Sequence, residues 1–214
     1  MTGVQTCALP IYLPNGYLIK RLERTRFEEI SIREICKIVE VSEGTFFNYF
    51  SAKIDIIHYY SSLVFLKVFW KAQKESPTGK HLAFIEAIFK NVAVEISNGN
   101  IIYPMLSIMI MQKEKPKVAV VSDIEKRFLF PDCPGIENVP IKFIDAILAD
   151  CLNAAYKNGE LPRTTKIDDA QISLMTILGG TVLATRFTNT KDQTYHFMRQ
   201  LRLLWKGMGV KVRR

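Results

Sequence analysis

The feature that most constrains this chain is the period of its apolar residues. Between a few chain breakers, hydrophobic side chains recur every three or four positions, and nowhere do they alternate with polar ones over the length of a strand. Ala83, Ile85, Ile88, Phe89, Val92 and Ile96 form one such stripe. Phe143, Ile144, Ile147, Leu148, Cys151, Leu152 and Ala155 form a second. Leu174, Ile177, Leu178, Thr181 and Val182 form a third, and Phe197, Leu201, Leu204 and Met208 a fourth. The breakers are Pro14-Asn15-Gly16, Pro77-Thr78-Gly79, Ser97-Asn98-Gly99-Asn100, the proline-bounded stretch 131–140 and residues 158–162. The pattern predicts an all-α protein of about nine or ten helices.

At 214 residues the chain has room for one or two domains, each with a sizeable core. The longest apolar candidate for a membrane span, residues 101–111, is interrupted by Pro104 and falls well short of the roughly 20 residues a span requires. A soluble, cytoplasmic protein with no membrane partner is expected. Cys7, Cys36, Cys133 and Cys151 are scattered without CxxC spacing, and His58, His81 and His196 form no metal-like cluster. Reduced cysteines, no metal and no cofactor are the expectation. Cys36 and Cys151 fall inside helical apolar patterns, where a thiol packs as a small hydrophobe.

The formal charge of +8 invites a nucleic-acid reading, but its distribution weakens that inference. Residues 20–53 carry seven basic groups against six acidic ones, whereas residues 191–214 carry seven basic groups against Asp192 alone. The surplus belongs mainly to the C-terminus, so DNA binding has to be argued from a motif.

Residues 1–11, MTGVQTCALPI, lack the basic and apolar regions of a signal peptide. The string resembles the in-frame translation of a sequencing-adapter oligonucleotide with a GTG start read as methionine. On that reading the natural coding sequence begins after Ile11, Cys7 is not native, and part of the first helix is missing.

The motif lies in residues 26–57. Ser31 precedes an apolar-periodic run and has Glu34 three positions later, a capping-box pattern that starts a helix. Ile32, Ile35, Cys36 and Val39 share its inner face, and Arg33, Glu34 and Lys37 face outward. Ser42 is a second N-cap, after a turn at Glu40-Val41, and opens a short helix that runs to Phe47 or Asn48. Ser51 is read as the cap of a longer helix that continues past Tyr60. Helix, tight turn, short helix is helix-turn-helix geometry.

Ile35-Cys36, Val39-Glu40-Val41-Ser42, Gly44-Thr45-Phe46-Phe47, Tyr49-Phe50 and Lys53 together resemble the signature of the tetracycline-repressor (TetR) family of transcriptional regulators. Glu40 stands where that family commonly has glycine, and Phe47 where it commonly has a tyrosine whose hydroxyl donates to a phosphate. The resemblance implies an N-terminal three-helix DNA-binding domain over residues 12–58, joined by a helix reaching about residue 74 to a helical dimerisation and effector domain over residues 77–210. It implies that the short helix enters the major groove by its N-terminal residues. Ser31, Arg33, Ser42, Glu43, Gly44, Thr45, Phe47, Asn48, Tyr49 and Lys53 are the expected DNA-binding set. Gly44 allows close backbone approach, Thr45 can meet a phosphate or a thymine methyl, and Asn48 an adenine edge. Tyr49 and Lys53, with the amides following Ser51, are expected on phosphates, and Ser31 and Arg33 on the backbone from the preceding helix. Val41, Phe46 and Phe50 are expected in the module's core. Residues 16–24, with Tyr17, Leu18 and Leu22, would supply the packing first helix.

In the body, residues 140–158 and 168–188 match the family's dimer helices, with Gly179-Gly180-Thr181 allowing close approach. The implied partners are a palindromic double-stranded operator, a second copy of the chain and an apolar small-molecule effector. Phe84, Phe89, Met105, Met109, Phe128 and Tyr156 are candidates for the effector pocket, each with ordinary core packing as the competing reading. The leading expectation is a repressor released by that effector. An activator or ligand-independent regulator would use the same module, and a structural helical protein would use it for protein contacts. A small helical enzyme is disfavoured because no nucleophile elbow, P-loop, Rossmann glycine pattern or metal-ligand spacing is present.

Overall fold

The computed structural model describes residues 21, 25, 27–38, 40–98, 102–111 and 118–210. The adapter-like residues 1–11 and, apart from Arg21, the expected first helix over residues 16–24 lie outside that set. Among the described residues the α-helices are α1 (Ile32–Ile38), α2 (Glu43–Tyr49), α3 (Ile54–Glu75), α4 (His81–Asn98), α5 (Ile102–Met111), α6 (Asp123–Leu129), α7 (Ile144–Lys157), α8 (Ile167–Phe187) and α9 (Gln193–Gly207). Two short 3-10 turns, Phe27–Glu29 and Ile136–Asn138, complete the described elements, and no strand occurs among them. No helix among the described residues is long and apolar enough to cross a membrane.

Contacts divide the chain into two compact units, Met1–Leu66 with Asn100–Ile141, and Lys67–Gly99 with Lys142–Arg214. This division differs from a single cut between residues 58 and 77. Residues 100–141 return to the unit that holds the helix-turn-helix, and α3 begins in one unit and ends in the other.

In the first unit, Ile30, Ile35, Cys36, Phe46, Phe50, Ile56, Ile57 and Tyr59 are buried. An aromatic chain runs through it. The Phe46 and Phe50 rings lie 5.5 Å apart and the Phe50 and Tyr59 rings 6.0 Å apart, edge to face. Tyr59 then donates its hydroxyl to Glu125 Oε1 at 3.2 Å. Glu125 also closes the capping box of α6, since its other oxygen accepts from the Ser122 N–H at 3.0 Å.

The second unit is a closed ring in which α4, α7, α8 and α9 each pack against two of the others. The stripes read from the sequence supply its core. Ile85, Ile88, Phe89, Leu148, Leu152, Leu174, Val182, Phe197 and Leu201 are all buried. Each such side chain contributes roughly 1.5–3 kcal/mol of apolar burial. Phe89 meets Phe197 edge to face at 5.4 Å. On α9 the inward position after Leu201 is Trp205, whose indole N–H donates to Glu86 at 3.1 Å, and not Leu204, which is half-buried. The carboxylate of Glu160 caps α4 from a distance by accepting the His81 and Leu82 N–H groups. Burial pushes the Cys151 thiol up to about 12, with the neighbouring Asp150 adding to the effect and Lys142 opposing it. Cys36 and Cys151 are free thiols.

One closure recurs at four helix ends. After α7, α8 and α9 the residue that stops the helix has positive φ (Gly159 at 72°, Asn189 at 51°, Gly209 at 79°). The next N–H bonds back to a carbonyl five residues earlier: Glu160 to Ala155, Thr190 to Thr185 and Val210 to Trp205, each at 2.9 Å. After α1 the same closure is made by Glu40 at φ 55°, with Val41 N–H on the Cys36 carbonyl at 3.0 Å. Glutamate is the one residue of the four that is neither glycine nor asparagine, and its Cβ makes the left-handed conformation costly. Glu40→Gly is therefore expected to stabilise the protein by up to about 1 kcal/mol, the left-handed penalty less the entropy cost of glycine. A higher urea midpoint, followed by circular dichroism, would show it. An unchanged or lower midpoint would mean that the glutamate side chain compensates locally.

Candidate nucleic-acid interface

The interface is built from two seven-residue helices and the turn between them. Ser31 accepts the Glu34 N–H at 3.0 Å and so starts α1, while the Glu34 carboxylate pairs with Arg21 at 3.3 Å. Ile35 and Cys36 point inward, and Arg33 and Lys37 are exposed one turn apart. Burial raises the Cys36 thiol above its ordinary range, with the charge of Glu43 adding to the shift.

Past the left-handed turn, Ser42 accepts the Thr45 N–H at 3.0 Å and caps α2. Its Oγ also lies 2.8 Å from the Thr45 hydroxyl. Phe46 is fully buried and holds α2 against α1, and Phe50 ends the helix by donating its N–H to the Phe46 carbonyl at 2.9 Å. Val41, expected in this core, is half-buried. What remains on the outer surface of α2 is Glu43, Gly44, Phe47 and Asn48, with Phe47 49% exposed. Tyr49 is half-buried. Seven of the ten residues expected to meet DNA are thus exposed: Ser31, Arg33, Ser42, Glu43, Gly44, Phe47 and Asn48. Thr45 is half-buried, with its hydroxyl turned to Ser42.

Lys53 differs from expectation. Its ammonium donates to the carbonyls of Phe27 at 2.7 Å, Ile30 at 2.9 Å and Glu28 at 3.3 Å, and sits 4.4 Å from the centroid of the Phe27 ring. An ammonium has three donors, and all three have acceptors here. The lysine closes the carbonyl end of the 3-10 turn Phe27–Glu29. The helix after Ser51 also begins later than read, at Ile54, and the Ala52 N–H is taken by the Asp55 carboxylate at 2.9 Å. The Asp55 carboxylate thus takes one of the N–H groups expected to face a phosphate. Lys37, which the reading of the sequence left out of the site, shares the exposed face of α1 with Arg33, and their four-residue spacing is the signal that marks it.

The six residues considered for an effector pocket divide between the two units, Phe84, Phe89 and Tyr156 in one and Met105, Met109 and Phe128 in the other. Phe89 is fully buried against Phe197, and Tyr156 donates to the Arg163 carbonyl at 3.3 Å with the guanidinium stacked 5.4 Å away. Phe84 borders a cavity of about 270 Å³ with Gln73, Lys80 and His81. Met105 is buried in the other unit, where Phe128 is 67% exposed. Met109 lies outside the residues whose side chains are described. Among the described residues no cluster of His, Cys, Asp or Glu could hold a metal.

No protein-family model matches the sequence, and no curated protein matches it. Solved structures do share the fold. One is the transcriptional regulator FadR from Bacillus subtilis in complex with stearoyl-CoA, 16% identical, covering 88% of this chain and 94% of that one with a TM-score of 0.62. Another is Thermus thermophilus FadR, a TetR family transcriptional repressor in complex with lauroyl-CoA, 20% identical, covering 91% and 92% with a TM-score of 0.61. A third is the TetR family protein CprB from S. coelicolor, 13% identical, covering 96% and 89% with a TM-score of 0.56. The chain has the fold of the TetR-family transcriptional regulators.

The placement of Lys53 gives a direct test. Lys53→Met keeps the apolar stem and removes the donors, leaving three carbonyls to find other partners. It is expected to destabilise the protein by about 2 kcal/mol, while the salt dependence of DNA binding keeps its slope. A phosphate ligand would behave the other way, with stability unchanged and the slope reduced by about one counterion.

Proposed function

We propose that this protein is a sequence-specific DNA-binding transcriptional regulator, a repressor that binds a palindromic operator as a homodimer and leaves it when an apolar effector binds. The observation that carries this reading is the outer surface of α2. A helix anchored from below by Phe46, capped by Ser42 and preceded by a fixed turn leaves Glu43, Gly44, Phe47 and Asn48 exposed. A short, rigidly held helix with small residues at its start and polar and aromatic groups outward suits entry into a major groove. Arg33 and Lys37 on α1 are placed to neutralise backbone phosphates and fix register.

The second copy is proposed to dock on α8. Ile172 (66% exposed), Met175 (36%), Leu183 (45%) and Phe187 (84%) recur at helical spacing along its outer face. Between them Gly179 and Gly180 have open space where a Cβ would stand. The outward positions of α7 are mostly polar (Asp150, Asn153, Lys157), so α8 supplies the apolar contact. A two-fold pair of reading helices then reads a two-fold operator. The repressor and effector parts draw support from the fold neighbours, one described as a repressor and two holding acyl-CoA. An effector releases DNA only by binding better to the conformation with misplaced reading helices.

Selection of bound sequences from random duplex DNA at two salt concentrations tests the function. A palindrome is expected, bound more weakly at higher salt. No enrichment at either salt would refute the reading. For the dimer, Leu183→Glu is expected to leave helix content intact and to yield a monomer in analytical ultracentrifugation that loses the palindrome. A variant that stays dimeric would move the interface off α8.

A further inference from the structure

We infer that α2 reads its half-site through a thymine methyl at Phe47, an adenine edge at Asn48 and a cytosine amino group at Glu43, and that α2 itself reads no guanine with a cation. The inference rests on the DNA-binding function proposed above and names the bases it selects.

α2 carries no cationic side chain. Its seven residues, EGTFFNY, include no lysine or arginine. Among the described residues Arg33 and Lys37 are exposed cations of α1, and the ammonium of Lys53 is occupied by three carbonyls. Guanine presents two acceptors, O6 and N7, in the major groove, and its usual reader is a bidentate arginine or lysine. This helix offers no such group.

What α2 does offer falls into two adjacent rows of helical spacing, Glu43 with Phe47 and Gly44 with Asn48. Phe47 exposes half of its ring and is braced edge to face on buried Phe46, centroids 5.3 Å apart. An apolar ring fixed in that way has one favourable partner on the floor of the major groove, the C5 methyl of thymine. Asn48 carries both a donor and an acceptor, the pairing that matches adenine N6 and N7. Glu43, ionised, only accepts, and the base that presents an amino donor without a neighbouring acceptor at N7 is cytosine. Gly44 completes the surface. A Cβ there would meet only the Ser42 Oγ, at an unstrained 3.7 Å. Nothing inside the protein requires glycine at that position, and the missing side chain leaves space on the side that faces a ligand.

The test uses the full-length protein and the duplex recovered by selection. Each thymine in one half-site is replaced in turn by deoxyuridine, which removes the methyl group and nothing else. At one position the wild-type protein is expected to lose affinity about fourfold, the value of one buried methyl group. In Phe47→Ala the same replacement is expected to change nothing. Asn48→Ala is expected to reduce the preference for adenine at one neighbouring position about tenfold or more, with the other positions unaffected. Gly44→Ala is expected to keep its circular dichroism spectrum and lose the duplex. A selected motif in which no deoxyuridine weakens the wild-type protein, or in which Phe47→Ala and Asn48→Ala keep every base preference, would overturn the assignment while leaving DNA binding intact. Failure to select any motif would overturn the DNA-binding function together with it.

Discussion

The geometry of the reading surface depends on the stop signal between α1 and α2. Val41 N–H reaches back to the Cys36 carbonyl only because Glu40 holds a left-handed conformation, and Ser42 opens the next helix only because the chain leaves that turn extended, at φ −75° and ψ 156°. Together these fix the angle at which α2 leaves α1. Phe46 then converts that angle into a packed contact, and its burial decides by elimination which side of α2 faces outward. The same closure elsewhere in the chain uses glycine or asparagine. The module therefore carries a strained residue at the position that sets its geometry.

Lys53 shows how a residue that fits a motif can also have partners within its own chain. Its place in the sequence matches a phosphate ligand, but its length lets it fold back over Phe27 and donate to three carbonyls in and beside the 3-10 turn. Whether a lysine serves a ligand or its own chain is decided by which acceptors lie within reach. Those acceptors come from residues more than twenty positions away, so spacing along the chain carries no trace of them. Among the described residues of the module, Arg33 and Lys37 of α1 carry exposed positive charge.

Much of the fold was legible because helical burial has a fixed period. The stripes on α4, α7 and α8 coincide with the buried faces of the ring, and Ser42 caps the helix it was expected to cap. The end of α9 shows the limit of periodicity. Positions 204 and 205 are both apolar, and only the hydrogen bond from Trp205 to Glu86 on α4 settles which one turns inward. The candidate pocket was illegible for a related reason. Aromatic residues on a helical stripe look alike whether they line a cavity, as Phe84 does, fill a core, as Phe89 does, or face water, as Phe128 does. The difference lies in long-range packing, which local pattern does not encode. The allocation of residues 100–141 to the first unit is likewise a matter of tertiary contact.

The central claim is that two copies of α2 enter successive major grooves on one face of a duplex. Hydroxyl-radical footprinting of the wild-type protein on its selected duplex measures this most directly. The account predicts two protected windows related by two-fold symmetry, their centres separated by about one helical turn of DNA or a whole multiple of it. A single window, or even protection along the whole duplex, would contradict it.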